Sequence, residues 1–268
     1  MKCLVIGKNS FLARQLIKSV DTFHFDFLSH KEINSSIEFE KYSHIINFGC
    51  NNYIHFQNYN FDQDLDLRLF NLVKTLPVTY VMLSSRKVYQ KSHQFNSNEN
   101  TPTGGIDFYG ANKTYIENKI LNSSSKCNLL LLRPSNILGV EVDANRLRLS
   151  AFLLTQLRSK GFIYLNCNPD TRKDVISVNF FITCLLRLIQ ENSSGIYNLG
   201  ANFSTTIKEI CNAYIKGFGS GSFLTHSNEF IDEFLMCSSK MHTQLKINYR
   251  KEDLLKELVN IGRGARLS

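Results

Sequence analysis

Tyr109 and Lys113 stand four residues apart in a segment with helical character, residues 107–120. On a helix, side chains at this spacing share one face, with their Cβ atoms about 5–6 Å apart. A Lys ammonium beside a phenol stabilises the phenolate and lowers the Tyr pKa from its usual value of about 10. The phenol then becomes a usable proton donor to a carbonyl oxygen, and a Ser hydroxyl at the end of a neighbouring predicted strand, from residues 84–85, can hydrogen-bond the same oxygen. The three residues predict a site for hydride chemistry at a carbonyl or alcohol carbon.

A Tyr and a Lys at this spacing also occur as an exposed pair on amphipathic helices, so the neighbouring segments must support the prediction. Those segments are residues 84–89 (Ser-Ser-Arg-Lys-Val-Tyr) and 109–113 (Tyr-Gly-Ala-Asn-Lys). They resemble the Ser-Ser-x-x-Val-Tyr-Gly and Tyr-Gly-x-x-Lys motifs of the extended short-chain dehydrogenase/reductase family, in its nucleotide-sugar epimerase, dehydratase and reductase branch. Counting back from Val88 places Ser85, not Ser84, at the family's catalytic serine.

The chain opens with an apolar strand at residues 2–6, a glycine turn and a helix. Such a corner forms an anion site because free N–H groups at the helix N-terminus point at a phosphate, although it can also be an ordinary strand-turn-helix corner. The family pattern Gly-x-x-Gly-Phe-Leu-Gly has Ser at its second glycine here, so the loop must shift or use the hydroxyl as a donor. The predicted dinucleotide contacts are Gly7, Asn9, Ser10, Phe11 and Leu12.

The second predicted strand, residues 23–28, ends at Ser29, His30 and Lys31. In Rossmann folds that bind NAD, an acidic residue at this place binds the ribose 2′-hydroxyl. The hydroxyl and basic side chains found here suit a 2′-phosphate instead, so Ser29 and Lys31 predict NADP(H) in preference to NAD(H). Asp26 or Glu32 takes the acidic role if the strand ends two residues away from the expected position.

Two later strands resemble further family segments. Residues 42–49 resemble the Asp-x-Val-x-Asn-x-Ala segment, and the resemblance implies that Asn47 and Gly49 lie beside the cofactor. Residues 132–139 (Leu-Arg-Pro-Ser-Asn-Ile-Leu-Gly) resemble the Leu-Arg-Pro-x-Asn-x-x-Gly segment. The resemblance places Pro134 beside the nicotinamide and Asn136 at the substrate diphosphate.

Basic residues are candidates for contacts with a diphosphate. Residues 172–178 resemble the family's Arg-Asp-x-x-x-Val segment, so Arg172 or Lys173 can be a charge-assisted donor to a nucleotide-sugar diphosphate. A solvated charge pair beside an edge strand is the alternative. Arg86, next to the catalytic serine, is a further substrate candidate. Dehydratases of the family carry Asp-Glu where this chain has Arg86 and Lys87, which disfavours 4,6-dehydration.

Composition excludes several classes of protein. The net charge is +8, but Lys and Arg are scattered without a basic run, so the charge suits a phosphate-bearing small molecule better than nucleic acid. The seven Cys show no C-x-x-C spacing and predict buried free thiols in a reducing compartment, the cytoplasm. The seven dispersed His predict no metal site. No stretch approaches the ~20 apolar residues of a membrane span.

Alternating strands and helices predict a Rossmann-type α/β fold, a doubly wound parallel sheet with a small discontinuous C-terminal substrate-binding portion. We expect residues 1–140 and 174–200 to form the dinucleotide-binding core, and residues 141–173 and 201–268 the substrate-binding portion of a single unit. The latter should contain a helix at 205–216 capped by Ser204 or Thr205, a flexible turn at 217–222, a helix at 251–259 and a frayed tail. The resemblance further implies a homodimer formed through the helix at 64–75 and the Tyr109-bearing helix.

These expectations favour an enzyme: an NADP(H)-dependent reductase of a keto group, expected at C4, on a nucleotide-linked deoxysugar for cell-surface polysaccharide. Ser85 would position the carbonyl, Tyr109 would deliver the proton, and Lys113 would hold the nicotinamide ribose. An NAD-dependent epimerase is the first alternative. A non-catalytic dinucleotide-binding regulator is the second, which the presence of all three catalytic residues disfavours.

Overall fold

The computed structural model describes residues 1–19, 24–34, 36–141 and 148–267. Phe23, the expected first residue of the second strand, lies outside these ranges, as do residues 142–147 of the expected substrate-binding portion and Ser268 of the tail. The described chain divides into two compact units. The first comprises Met1–His93, Ser97–Pro134 and Ile182–Leu199, and the second comprises Gln94–Asn96, Ser135–Phe181 and Gly200–Ser268.

The elements are numbered in chain order. The strands are β1 (Lys2–Ile6), β2 (His24–Leu28), β3 (His44–Asn47), β4 (Thr79–Leu83), β5 (Phe95–Ser97), β6 (Asn128–Pro134), β7 (Asn136–Leu138), β8 (Phe162–Leu165), β9 (Arg172–Lys173), β10 (Val175–Ser177), β11 (Gly195–Leu199), β12 (Thr205–Thr206), β13 (Ser222–Thr225) and β14 (Leu235–Met236). The helices are α1 (Phe11–Lys18), α2 (Leu65–Val73), α3 (Phe108–Leu121), α4 (Leu149–Lys160), α5 (Val178–Gln190), α6 (Ile207–Phe218), α7 (Ser239–Gln244) and α8 (Lys251–Leu267).

The first unit is built on a parallel sheet with the strand order β11-β6-β4-β3-β1-β2. Its inner strands are mainly apolar and are buried apart from the first residues of β1 and β6 and the last residue of β4, as expected for a sheet covered on both faces by helices. After β2 the chain returns to the other side of β1, so the strand order reverses between β1 and β3. The Rossmann-type, doubly wound prediction is confirmed.

The hydrophobic core of the first unit lies between this sheet and helices α2 and α3. Leu4, Ile45 and Tyr80 contribute from the strands, and Phe70 and Ile116 contribute from the helices. All five side chains are almost fully buried. Because α2 and α3 are anchored by these apolar contacts, the polar side chains on their remaining faces take fixed positions above the strand ends.

In the second unit, α6 and α8 pack closely, and two sequence predictions for this region are wrong. The expected turn at 217–222 is partly helical, since α6 continues through Phe218, and the expected frayed tail continues α8 to Leu267. A Cβ on Gly217 would overlap the carbonyl of Val259, and a Cβ on Gly262 would overlap the carbonyl of Tyr214. Gly217 and Gly262 therefore allow the backbones of α6 and α8 to approach each other closely. Considered from local sequence alone, each of these glycines predicts the end of a helix.

Helix α6 also begins two residues later than predicted. Its N-cap is Thr206, whose hydroxyl accepts from the N–H of Glu209 at 3.1 Å, while the Glu209 carboxylate accepts from the N–H of Thr206 at 2.7 Å. This reciprocal capping box satisfies two N–H groups at once, which neither Ser204 nor Thr205 does at this helix start.

Among the described residues, no helix combines the length and apolar character that a bilayer span requires.

Candidate active site and cofactor site

The carboxyl ends of β1 and β3 meet where the strand order reverses. Gly7 follows β1 with a φ of +95°, and a Cβ on this residue would lie 2.8 Å from the backbone N of Gly49, just after β3. Only glycine meets both demands, the left-handed conformation and the close approach. Doubly wound sheets bind dinucleotides in the crevice at such a reversal. The residues present here therefore fit a dinucleotide pyrophosphate.

Helix α1 begins beside this crevice. Ser10 is its N-cap, and the Ser10 hydroxyl accepts from the N–H of Ala13 at 3.2 Å. The first i→i−4 bond of the helix runs from Arg14 to Ser10, and the Ala13 N–H is bound by the Ser10 hydroxyl. The N–H groups of Phe11 and Leu12 lie outside the helical ladder, at the helix end that favours an anion. The side chains of Phe11 and Leu12 are buried and anchor the helix. Asn9 is exposed in the turn.

The end of β2 falls at Leu28, as predicted, and a short turn follows it. Glu32 turns back toward the strand end, where its carboxylate binds Lys8 at 2.8 Å and accepts from the N–H of Ser29 at 2.6 Å. Hydrogen bonds from Lys8 and Ser29 lower the pKa of Glu32 to about 2. Lys31 is exposed. The strand end thus offers both a basic side chain and a carboxylate.

The other acidic candidate, Asp26, lies in the middle of β2. Its carboxylate binds Lys2 at 2.9 Å and accepts from the hydroxyl of Tyr42 at 2.7 Å. His30, after the strand, lays its ring over Gly49, where a Cβ would overlap the imidazole. Burial lowers the pKa of His30, and the nearby charge of Asp66 opposes that shift. His30 is therefore a neutral packing ring at neutral pH, which also explains a glycine at position 49.

Lys113 is buried and held by two hydrogen bonds. Its ammonium binds the carboxylate of Asp66 at 2.6 Å and the carbonyl of Leu83, the last residue of β4, at 2.8 Å. Burial lowers the pKa of Lys113, but the charge of Asp66 and that of the nearby Tyr109 raise it more, so the pKa stands above its usual value. The effect of Tyr109 on the Lys113 pKa indicates that the two motif side chains lie close together, as their spacing predicts.

Asn47 joins the same group from β3. Its amide N–H donates to Asp66 at 2.8 Å, and its side-chain oxygen accepts from the N–H of Gly49 at 3.0 Å. The side chain is 1% exposed. Asn47 therefore bridges α2 and the backbone after β3. Because its side chain is engaged in these two hydrogen bonds, the predicted contact with a cofactor would have to come from the backbone of residues 47–49.

Lys87 connects the Ser85 turn to the start of α3. The Ser85 hydroxyl accepts from the N–H of Lys87 at 3.2 Å, and the Lys87 ammonium binds Asp107, the N-cap of α3. A Cβ on Gly110 would overlap the carbonyl oxygen of Lys87. The first turn of α3, which carries Tyr109, therefore lies directly against the turn that carries Ser85.

The structure separates the roles of the two neighbouring serines. Ser84 is buried and its hydroxyl donates to the carboxylate of Glu117 in the interior. Ser85 is half-buried at the end of β4. The accessible hydroxyl is the one that motif counting selects. Tyr109 is also half-buried, and the ring of His55 stacks on it with centroids 4.5 Å apart and planes 13° apart.

Two further predicted residues of the first unit are buried. Arg86 is 3% exposed, and its charge contributes to lowering the pKa of Asp107. Pro134 is the last residue of β6, next to Arg133. Arg86 is therefore an interior group near the start of α3, and a contact with substrate at this position stays a prediction.

Three predicted substrate residues lie in the second unit. Asn136 begins β7 and pairs in register with Val175. Arg172 is exposed, 3.4 Å from the carboxylate of Glu233. Lys173 is buried, and its ammonium donates to the backbone carbonyls of Ile231, at 2.6 Å, and Asp232. Lys173 therefore holds a loop, and Arg172 is the more accessible basic group of the two.

The sequence prediction missed several residues that organise the site. Asp66, Glu117, Arg133 and His55 were not singled out as site residues, yet they bind or contact the catalytic segments. One signal was present for Asp66 and Arg133, because a charged residue inside an apolar helix stripe or an apolar strand must find a buried partner.

A comparison with family models and solved structures is consistent with this geometry. Residues 4–200 match the model of the NAD dependent epimerase/dehydratase family. A UDP-N-acetylglucosamine 4-epimerase from Methanobrevibacter ruminantium, in complex with UDP-N-acetylmuramic acid, has a TM-score of 0.79 at 14% identity, over 98% of this chain and 97% of that chain. RMD from Pseudomonas aeruginosa, complexed with NADPH, has a TM-score of 0.77 at 13% identity, over 98% and 99%.

A third solved structure is a dTDP-glucose 4,6-dehydratase from Bacillus anthracis in complex with NAD, with a TM-score of 0.72 at 18% identity over 97% of this chain and 95% of that chain. No curated protein sequence matches this chain. At such low identity the solved structures establish the fold, while the family match spans the sheet, the glycine turn and the Tyr-Lys helix. The chain belongs to the NAD dependent epimerase/dehydratase family.

Proposed function

We propose that this protein is a nicotinamide-dinucleotide-dependent oxidoreductase that reduces a keto group, at C4, of a nucleotide-linked deoxysugar used in cell-surface polysaccharide. The observation that carries the proposal is the placement of Lys113. Its ammonium is fixed between Asp66 and the end of β4, near Tyr109. This placement supports Tyr-Lys chemistry beside a dinucleotide at the carboxyl edge of the sheet.

The side chains have separate roles in this reaction. When bound, the reduced dinucleotide supplies the hydride to the keto carbon. Ser85 donates a hydrogen bond to the keto oxygen, and Tyr109 transfers its phenolic proton to that oxygen, which becomes the product hydroxyl. Lys113 would hold the nicotinamide ribose, and its positive charge near Tyr109 would stabilise the phenolate left after the proton transfer. Tyr109 then regains its proton from solvent.

The segment after Ser85 supports reduction rather than 4,6-dehydration. Arg86 and Lys87 are basic, so they do not supply the pair of acidic groups that the family's dehydratases carry at these positions. Arg86 is also buried, and Lys87 is bound to Asp107. The reductase proposal therefore needs only the proton of Tyr109 and an external hydride donor.

The preferred cofactor depends on the end of β2. Lys8 neutralises the Glu32 carboxylate, while Lys31 and the Ser29 hydroxyl stand beside it. We expect these groups to favour the 2′-phosphate of NADP(H). The Glu32 carboxylate is the specific feature in favour of the second candidate, an NAD-dependent epimerase, because an acid here suits a free 2′-hydroxyl.

A homodimer is part of the proposal. Leu72 on α2 and Tyr115 and Leu121 on α3 are large apolar side chains that the first unit leaves exposed. A second copy of the chain placed on these helices would cover them. The seven free thiols suit a reducing compartment, so we place the enzyme in the cytoplasm. Light scattering of the purified protein, with Tyr115→Glu as the disrupting variant, tests the oligomeric state.

The decisive experiment titrates NADPH and NADH separately and then supplies 4-keto nucleotide sugars. We expect tighter binding of NADPH, no nucleotide retained through purification, and oxidation of NADPH that Tyr109→Phe abolishes while leaving dinucleotide affinity intact. Retained NAD and interconversion of sugar epimers would replace the reductase with the epimerase. Dinucleotide binding without turnover of either kind would favour a non-catalytic regulator.

A further inference from the structure

Lys113 shares a buried carboxylate with the end of β3. Asp66 is 4% exposed and Lys113 is 2% exposed. One Asp66 oxygen accepts from the ammonium at 2.6 Å, and the other accepts from Asn47 at 2.8 Å. The backbone of Asp66 is also fixed, since its carbonyl accepts from the hydroxyl of Tyr80 at 3.1 Å. The carboxylate is therefore held by β3 and by α3, and the backbone of the same residue is held by β4.

From this arrangement we infer that Asp66 is a positioning residue, which keeps Lys113 charged and directs one of its N–H groups toward the cofactor. An ammonium has three donors. Asp66 and the carbonyl of Leu83 receive two of them, which fixes the direction of the third. The inference rests on the proposed function, in which Lys113 donates to the nicotinamide ribose.

The burial of Lys113 explains why it needs a carboxylate. A Lys removed from water tends to lose its proton unless a negative charge lies beside it. A neutral amide at position 66 has a single acceptor oxygen, so either Asn47 or Lys113 would lose its partner. The Lys113 ammonium would then titrate within the working pH range, and its hydrogen bond to the ribose would weaken as pH rises.

The same carboxylate lies near the cofactor crevice. The side-chain oxygen of Asn47 accepts a hydrogen bond from the N–H of Gly49 at 3.0 Å. Gly49 in turn lies against Gly7, where the strand order reverses. Asp66 thus ties the orientation of Lys113 to the backbone that approaches the dinucleotide. A substitution at Asp66 should affect dinucleotide binding through Lys113, without any direct contact between Asp66 and the ligand.

The test measures the Kd for NADPH, and for NADH, between about pH 6 and about pH 9 in the full-length protein. We expect the wild-type Kd to vary little. For Asp66→Asn, the Kd should rise by up to about tenfold per pH unit above the lowered pKa of Lys113. Lys113→Met should bind weakly at every pH, and adding Asp66→Asn to it should change nothing further. Asp62→Asn, an exposed carboxylate four residues earlier, serves as the matched control and should follow the wild type.

A folded Asp66→Asn variant whose Kd stays within about twofold of the wild type across this range would overturn the positioning role. If Asp66→Asn does not fold, the double variant with Lys113→Met leaves no unpaired buried charge and is compared with Lys113→Met alone. Equal affinities support the inference, and a further loss in the double variant shows that Asp66 acts independently of Lys113.

The titration needs no sugar substrate. If the protein reduces no keto sugar, the proposed reaction is wrong, but the role of Asp66 can still be tested by dinucleotide binding. Binding of neither dinucleotide by the wild-type protein would overturn both, because Lys113 would then have no cofactor to hold.

Discussion

The guanidinium of Arg133 binds both carboxylate oxygens of Glu117, with Nη2 2.6 Å from Oε2 and Nε 3.1 Å from Oε1. Both side chains are almost completely buried. Glu117 lies one turn after Lys113 on α3, and Arg133 lies on β6, so the pair fixes α3 to the sheet. Arg133 also donates to the hydroxyl of Tyr89 at 3.1 Å, which extends the network to the segment after β4.

Removing one partner of this pair should destabilise the protein strongly. Glu117→Gln leaves the Arg133 charge buried without a counter-charge, and we expect a loss of about 3–5 kcal/mol in the free energy of unfolding. Urea unfolding measures it. The paired substitution Arg133→Met with Glu117→Leu removes both charges and should lose less than Glu117→Gln alone. A loss below about 1 kcal/mol in Glu117→Gln would contradict the buried ion pair.

Gly110→Ala should damage the catalytic segment. The added Cβ would overlap the Lys87 carbonyl, so α3 must move away from the Ser85 turn, at a cost of about 1–3 kcal/mol in unfolding free energy. We expect turnover to fall because Tyr109 moves with the helix. Gly264→Ala is the matched control, since its Cβ would meet only Val140 at 3.5 Å and a helical Gly→Ala change stabilises by up to about 1 kcal/mol. Equal effects of the two variants on turnover would argue against the close approach.

Gly7→Ala should weaken dinucleotide binding by at least about tenfold, because the Cβ enters the crevice 2.8 Å from the N of Gly49. Gly161→Ala separates this effect from backbone strain. Gly161 also has a positive φ, +74°, but a Cβ there has no neighbour within 4 Å among the described residues. We expect Gly161→Ala to cost about 1 kcal/mol of stability and to leave the Kd for NADPH unchanged. Normal affinity in Gly7→Ala would place the pyrophosphate elsewhere.

Stability should fall in mild acid because of His44, which is 1% exposed at the start of β3. Burial lowers its pKa to about 4, whereas an unfolded His titrates near about 6.5. Unfolding therefore takes up a proton between these values. The His44 contribution is complete above about pH 6.5 and is lost as pH falls toward about 4, amounting to about 3 kcal/mol.

Urea unfolding between those two pH values checks this dependence. His44→Gln, which cannot titrate, should flatten the profile over that window, and His93→Asn, a change at an exposed His, should not. A wild-type profile as flat as that of His44→Gln would show that His44 does not control it.

Local sequence was sufficient for much of the site. The strand at 2–6, the glycine turn and the Tyr109–Lys113 helix were all predicted, because apolar runs, a required positive φ and a four-residue spacing act over a few residues. The choice of Ser85 over Ser84 by motif counting agrees with the half-buried position of Ser85. The strand end at Leu28 was also predicted, since Ser29 and the polar residues behind it end the apolar pattern.

Tertiary structure alone decided the rest. Asp66 is 47 residues from Lys113 in the sequence, and they meet because α2 and α3 pack side by side on the sheet. Likewise, Gly262 is helical because α8 lies against the Tyr214 carbonyl of α6, a contact that no local pattern encodes. Side chains distant in sequence become neighbours only when strand order and helix packing bring them together. The sequence by itself therefore predicted the candidate catalytic groups, and the fold determined which charges hold them in place.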